Sequence, residues 1–324
     1  MHLLTTVVGH YPKIGGRGPN LRAAIANFEA GKISQEELHR VEDEVTKDVL
    51  AEQAQAGVDL LTDGQIRWED GQTYFARRIG GFSIDGLVRY FDTNTYYRQP
   101  VAEGRVYWTG PIALRDYQFA RQHSPKPVKP VITGPYTLAR LSLHPAYPDP
   151  EPFLMQLADI LNQELLTLQA ENPPLIQVDE PAILKWKDDF PLFRRAMERL
   201  TRGVTVPLAL YTWFRDINGL YPDLFRLPFQ TFGLDFVMGK ANYHIIRDFP
   251  TDKALGLGCV DARNTKLETV EEIVNAVARV KPVVPLGRLY LSPSCGLEYL
   301  PRDNARAKLQ RLVEGARKAQ EVLA

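Results

Sequence analysis

Two cysteines in 324 residues are too few for a disulfide framework, which favours a reducing, cytoplasmic setting. An excess of either charge is also missing. Lys+Arg and Asp+Glu both number 39, so nothing in the balance argues for a nucleic-acid partner or a basic protein partner. The opening MHLLTTVVGHYP has no basic leader and no long apolar run, so neither a signal peptide nor a membrane segment is expected. No GxGxxG follows the first strand-like run, which weakens a dinucleotide-binding fold. Repeats, low-complexity tracts and linkers are absent as well, and a single domain over residues 1–324 is expected.

What is present is an ordinary globular balance, 44% hydrophobic and 24% charged. Eight short apolar runs recur: LLTTVVG (3–9), VDLLTDG (58–64), KPVITGP (129–135), LIQVDEP (175–181), PLALYTW (207–213), FGLDFV (232–237), ALGLGCVD (254–261) and RLYLSPSC (288–295). They are rich in Val, Ile, Leu and Thr and mostly do not alternate, the pattern of strands buried on both faces of a parallel sheet. Amphipathic helical stretches lie between most of them. Ser34 and Glu37 form a capping box for a helix predicted to run to Ala56, with Gly57 as its stop. Strands alternating with helices over this length predict an α/β (β/α)₈ TIM barrel. One long aromatic and polar stretch, residues 82–109, breaks the rhythm and predicts a hairpin excursion after the second strand, leaning over the barrel mouth.

In such barrels chemistry gathers where the strands' C-terminal ends open into loops. Every predicted end offers a polar or ionisable side chain, among them His10, Gln65, Arg67, Asp179, Tyr211, Trp213, Asp235 and Cys295. Asp216, Asp261 and Ser294 read as turn formers or helix caps. Asp179-Glu180 differs, because two adjacent carboxylates close an apolar strand and a proline follows at once. One is expected to face a pocket while the other pairs with a cation. His10 reads either as a loop-holding donor or as an acid/base or metal-binding group. Tyr211 and Trp213 share one side of their strand, as an aromatic wall or as barrel packing.

TTVVGHYPK, AGVDLLTDGQIRWED, QVDEPAI, GLDFVMG, LGLGCVDARNTKLETVEEI and LSPSCGLEYLPRDNARAKL, in that order, resemble the cobalamin-independent methionine synthase family. The likeness is to its single-barrel members and covers nearly the whole chain. It implies the same barrel fold and zinc-thiolate chemistry, in which a zinc-bound homocysteine takes a methyl group from methylfolate or, in core-type members, a methylcorrinoid such as methylcobalamin. A small-molecule substrate follows, and a corrinoid protein is a conceivable partner. Carried over residue by residue, the family's His-x-Cys ligand pair falls on Tyr211 and Trp213, its glutamate at or beside Asp235, and its last cysteine on Cys295. The standard zinc site is thus lost, unless His10, Asp235 and Cys295 rebuild one. The family's Asp-Gly-Glu reads Asp-Gly-Gln here, so Gln65 stands where an acid helps to hold the substrate ammonium, while the matching Asp179 is kept.

The expected site therefore has His10 and Asp179 as catalytic groups, and Gln65, Asp179, Tyr211, Trp213 and Arg67 as substrate contacts. Cys295, Asp235 and His10 are its metal ligands if a rebuilt site forms. The leading expectation is methyl transfer to a thiol. Its alternatives are a metal-free enzyme of another class, such as a decarboxylase or lyase, or a ligand-binding protein on the same barrel.

Overall fold

The computed structural model describes residues 2–16 and 18–324. Nine strands are named in chain order: β1 (Leu4–Thr5), β2 (Ile79–Arg89), β3 (Tyr96–Trp108), β4 (Val131–Thr133), β5 (Ile176–Asp179), β6 (Leu208–Tyr211), β7 (Thr231–Asp235), β8 (Ala254–Val260) and β9 (Leu289–Pro293). A seven-stranded parallel sheet runs β1-β9-β8-β7-β6-β5-β4. The gap between β1 and β4 is filled by residues 58–61. Thr6 bridges Leu60 and Leu61 bridges Val128, both parallel, and Lys129 N–H donates to the Leu61 carbonyl at 2.9 Å. The sheet thus curls into a TIM-barrel-like fold, with the VDLLTDG run in second place as its composition implied.

The strands of the parallel sheet form where apolar residues run without alternation, and nearly all their side chains are buried. The helices obey the capping chemistry. Ser34 and Glu37 exchange side-chain and backbone bonds ahead of Gln35–Ala56, and Gly57 ends that helix at φ 94°, where a Cβ would be strained. Thr269 and Glu272 repeat the box before Val270–Val280. Among the described residues, no helix is long and apolar enough to cross a membrane.

The excursion is an antiparallel hairpin, β2 paired with β3, with register shifts that bend it. Its tip folds back onto the barrel. Tyr90 and Phe91 pack edge-on against Phe214 at 6.2 and 6.0 Å, and Arg215 pairs with Asp92 at 3.4 Å. Asp70 caps the Gly71–Ala76 helix and also accepts the Arg98 N–H at 3.3 Å, anchoring the hairpin's base.

The barrel interior is unusually polar. The Gln177 amide donates to the Val8 carbonyl at 2.6 Å, a bond between β5 and the far side of the barrel. Lys129 lies 4.8 Å above the Tyr211 ring. That ring rests on Gly233 and Gly256, and a Cβ at Gly256 would stand 2.7 Å from the Tyr211 Oη. Two glycines on adjacent strands are what admit a tyrosine here.

Candidate active site

A cavity of about 610 Å³ opens at the C-terminal ends of the strands, beneath the hairpin tip. That volume lies within the usual span for small-molecule sites. Its wall draws on the loop after β1 (His10, Lys13), the turn after residues 58–61 (Gln65, Trp68), the hairpin (Tyr90, Tyr97), Asp179 of β5, Trp213, and the loop after β9 (Glu298, Tyr299). The first and last loops are tied by the Leu297 N–H, which donates to the His10 carbonyl at 2.8 Å.

Asp179 faces this space. Burial raises its carboxyl to about 8, against the opposing pull of the Gln177 hydrogen bond at 2.7 Å and the Lys129 charge. Its neighbour Glu180 turns away. Instead of meeting a cation, it accepts the N–H groups of Tyr136 (2.9 Å) and Thr137 (2.7 Å) and so caps the Pro135–Arg140 helix. The chain reverses sharply at Gly64 (φ 70°) and Gln65 (φ 52°), the second a conformation that L-residues seldom adopt. This fold-back lays the Gln65 amide over Gly9, where a Cβ would come within 2.9 Å of its Oε1. Gln65 is 0% exposed, and neither amide atom has a hydrogen-bond partner among the described residues. Trp68 Nε1, also on the wall, is equally unpartnered.

His10 lines the cavity and meets Trp68 edge-on at 5.7 Å. Burial and the nearby Lys13 charge lower its pKa to about 3, so the ring is neutral near pH 7 and offers hydrogen bonding rather than charge. Trp213 and Tyr211, expected side by side, part company. Trp213 lines the cavity, and Tyr211 lies flat inside the barrel below it.

Arg67 is not on the cavity wall. Its guanidinium is drawn into a buried cluster with Asp43, Asp116 (3.5 Å) and Glu42 (3.8 Å), between the Gln35–Ala56 and Leu114–His123 helices. Held by three acids inside the fold, away from the cavity, the guanidinium does not reach a substrate there.

The rebuilt zinc shell is not formed. Among the described residues, no group of three or more His, Cys, Asp or Glu side chains is gathered to hold a metal ion. Asp235 is spent on the backbone. Its Oδ1 accepts the N–H groups of Val237 (2.8 Å) and Met238 (2.9 Å), and its Oδ2 accepts that of Phe214 (3.0 Å). Cys295 is buried behind the wall, and burial, Glu298 and Asp235 push its thiol well above the ordinary range. Tyr211 fills the barrel interior against Gly233 and Gly256. These donors do not fit a zinc-thiolate centre.

Sequence reasoning passed over two groups. Glu298 lies three residues beyond Cys295 in SPSCGLEYLP, and it is the glutamate rather than the cysteine that reaches the cavity. Lys129 opens the KPVITGP run and is 1% exposed with no hydrogen-bond partner on Nζ among the described residues.

A parallel barrel with a half-enclosed cavity at its C-terminal strand ends defines the class: a barrel enzyme acting on a small molecule. Residues 3–318 match the family described as "Cobalamin-independent synthase, Catalytic domain". Methionine synthase of Saccharolobus solfataricus is 33% identical over 99% of this chain and 96% of its own length. That of Pyrococcus abyssi is 33% identical over 97% and 92%. Among solved structures, a B12-independent methionine synthase from Shewanella sp. W3-18-1, in complex with selenomethionine, superposes with a TM-score of 0.87 at 22% identity, covering 100% of this chain and 99% of that one. The chain belongs to the cobalamin-independent methionine synthase family, a family of methyltransferases.

Proposed function

We propose that this barrel transfers a methyl group to the sulfur of a thiol amino acid such as homocysteine, without the family's zinc shell. The observation that carries the reading is Asp179, a buried acid facing the cavity that has a hydrogen bond from Gln177 but no salt-bridge partner among the described residues. An ammonium is the natural complement to such a group. The new S–CH₃ bond forms as the donor's bond to methyl breaks, its electron pair stays on the donor, and with methylfolate the proton lost from the thiol ends on the donor nitrogen. His10, held neutral, acts as a hydrogen-bonding group beside the sulfur, and Trp213 with Tyr90 walls the acceptor off from water. Methylfolate is the donor favoured by size, since a flat pterin suits a cavity of about 610 Å³ under the hairpin. A corrin macrocycle would have to meet the mouth from outside, presented by a corrinoid protein.

The test is methionine formation from homocysteine with methylfolate or with methylcobalamin, followed by mass spectrometry on metal-analysed protein. Product formed by zinc-free protein and abolished in Asp179→Asn supports the reading. No product with either donor sinks it, and stoichiometric zinc that vanishes in Cys295→Ala sinks its zinc-free part.

A further inference from the structure

Two carboxylates, Asp179 and Glu298, reach the same cavity from opposite parts of the barrel, and neither has a cation within salt-bridge distance among the described residues. Glu298 folds back over Gly296, so closely that any Cβ there would collide with its carboxylate. Its Oε2 is buried without a hydrogen-bond partner. The groups near enough to feel its charge are Lys13, Asp179, Tyr90, Tyr299 and Cys295. Lys13 donates to the Trp68 carbonyl. Beside these acids stand the orphaned Gln65 amide and the Trp68 indole N–H, both in fully walled positions. Unmatched acceptors at one point and unmatched donors at another suit a zwitterion.

We infer that Glu298 supplies the second carboxylate of an α-ammonium subsite, in place of the acid that Gln65 cannot be. This rests on the amino-acid acceptor proposed above. The ammonium lies between Asp179 and Glu298, and the α-carboxylate turns to the Trp68 and Gln65 donors. The charge needed at the ammonium has moved from the second strand end to the eighth, which keeps the specificity while changing the residue that confers it.

The experiment measures binding by calorimetry for homocysteine and for 4-mercaptobutanoate, which has the same thiol and carboxylate and no ammonium. Wild type, Glu298→Gln and the double variant Glu298→Gln/Gln65→Glu are compared, with circular dichroism melts to confirm folding. Losing a charge-assisted bond predicts that Glu298→Gln weakens homocysteine about 10- to 100-fold and leaves 4-mercaptobutanoate within about 2-fold. Returning the charge at position 65 recovers about 5-fold or more of that loss. Unchanged homocysteine affinity in Glu298→Gln, or equal loss of both ligands, overturns the inference while the acceptor reading stands. A wild type that binds neither ligand overturns both.

Discussion

Replacing Lys129 with Met should make the protein more stable and a poorer ligand binder at once. The lysine is 1% exposed, its Nζ has no hydrogen-bond partner among the described residues, and its contacts are the Tyr211 ring at 4.8 Å and the Asp179 charge. Burial lowers its pKa from 10.5 to about 7, with Asp179 pulling the other way. Methionine keeps the apolar stem and removes the ion. Among the described residues no salt bridge ties Lys129 to Asp179, and Asp179, raised to about 8, is protonated at pH 6, so removing the ammonium strands no opposite charge there; the relieved desolvation, less about 1 kcal/mol for the lost cation–π contact, leaves a net gain on the order of 2 kcal/mol. A net gain of about 2 kcal/mol raises Tm by roughly 3 °C in a chain of this size. The sign depends on pH. Because the folded pKa lies below the unfolded one, the unfolded chain binds the extra proton between about 7 and 10.5, so the native penalty is complete below about 7 and fades above it. The advantage of Met should therefore be large at pH 6 and small by pH 9. Meanwhile Asp179 loses the attraction of the Lys129 charge and titrates higher, and each unit of that rise weakens ammonium binding near neutrality by about tenfold. Thermal melts at pH 6 and 9 with homocysteine calorimetry make the assay. A Met variant less stable than wild type at pH 6, or a gain equal at both pH values, would refute the reasoning.

Three further outcomes follow. Asp179 titrates near 8, so its charged form is lost as pH falls, and homocysteine affinity should improve between pH 6 and 8.5; a flat calorimetric profile in the wild type, or an unchanged slope in Asp179→Asn, contradicts this. Gly256→Ala places a Cβ 2.8 Å from the Gly233 Cα and 2.7 Å from the Tyr211 Oη, and overpacking against backbone should cost about 1–3 kcal/mol in urea unfolding, whereas a neutral result would mean that Tyr211 does not lie across these glycines. Ser34→Ala removes half of a capping box remote from the cavity, so about 1 kcal/mol of stability should go with no change in ligand affinity.

Local chemistry made much of the fold readable. The predicted helix end at Ala56 and the Gly57 stop match the structure because caps and amphipathic faces act within a few residues. The strands were recognisable from unbroken apolar runs, although their observed ends are shorter by a residue or more, since sheet pairing rather than hydrophobicity decides where a strand stops. The hairpin announced itself by interrupting the helix-strand alternation. The site was harder. Arg67 sits at a strand end like the cavity residues, and only the packing of two distant helices supplies the acids that draw it away. Tyr211 and Trp213 have the same parity along the chain, yet their different depths in the barrel send one inward and the other to the cavity.

By itself the sequence determined the order of strands and helices, the caps and the family. Those are properties of residue identity and short-range spacing. Only the tertiary structure decided that Asp235 is consumed by backbone N–H groups, that Lys129 is buried against Tyr211, and that Glu298 shares a cavity with Asp179. Closing a barrel brings together strand ends far apart along the chain, and the depth and stagger of each strand then set which side chain meets the ligand.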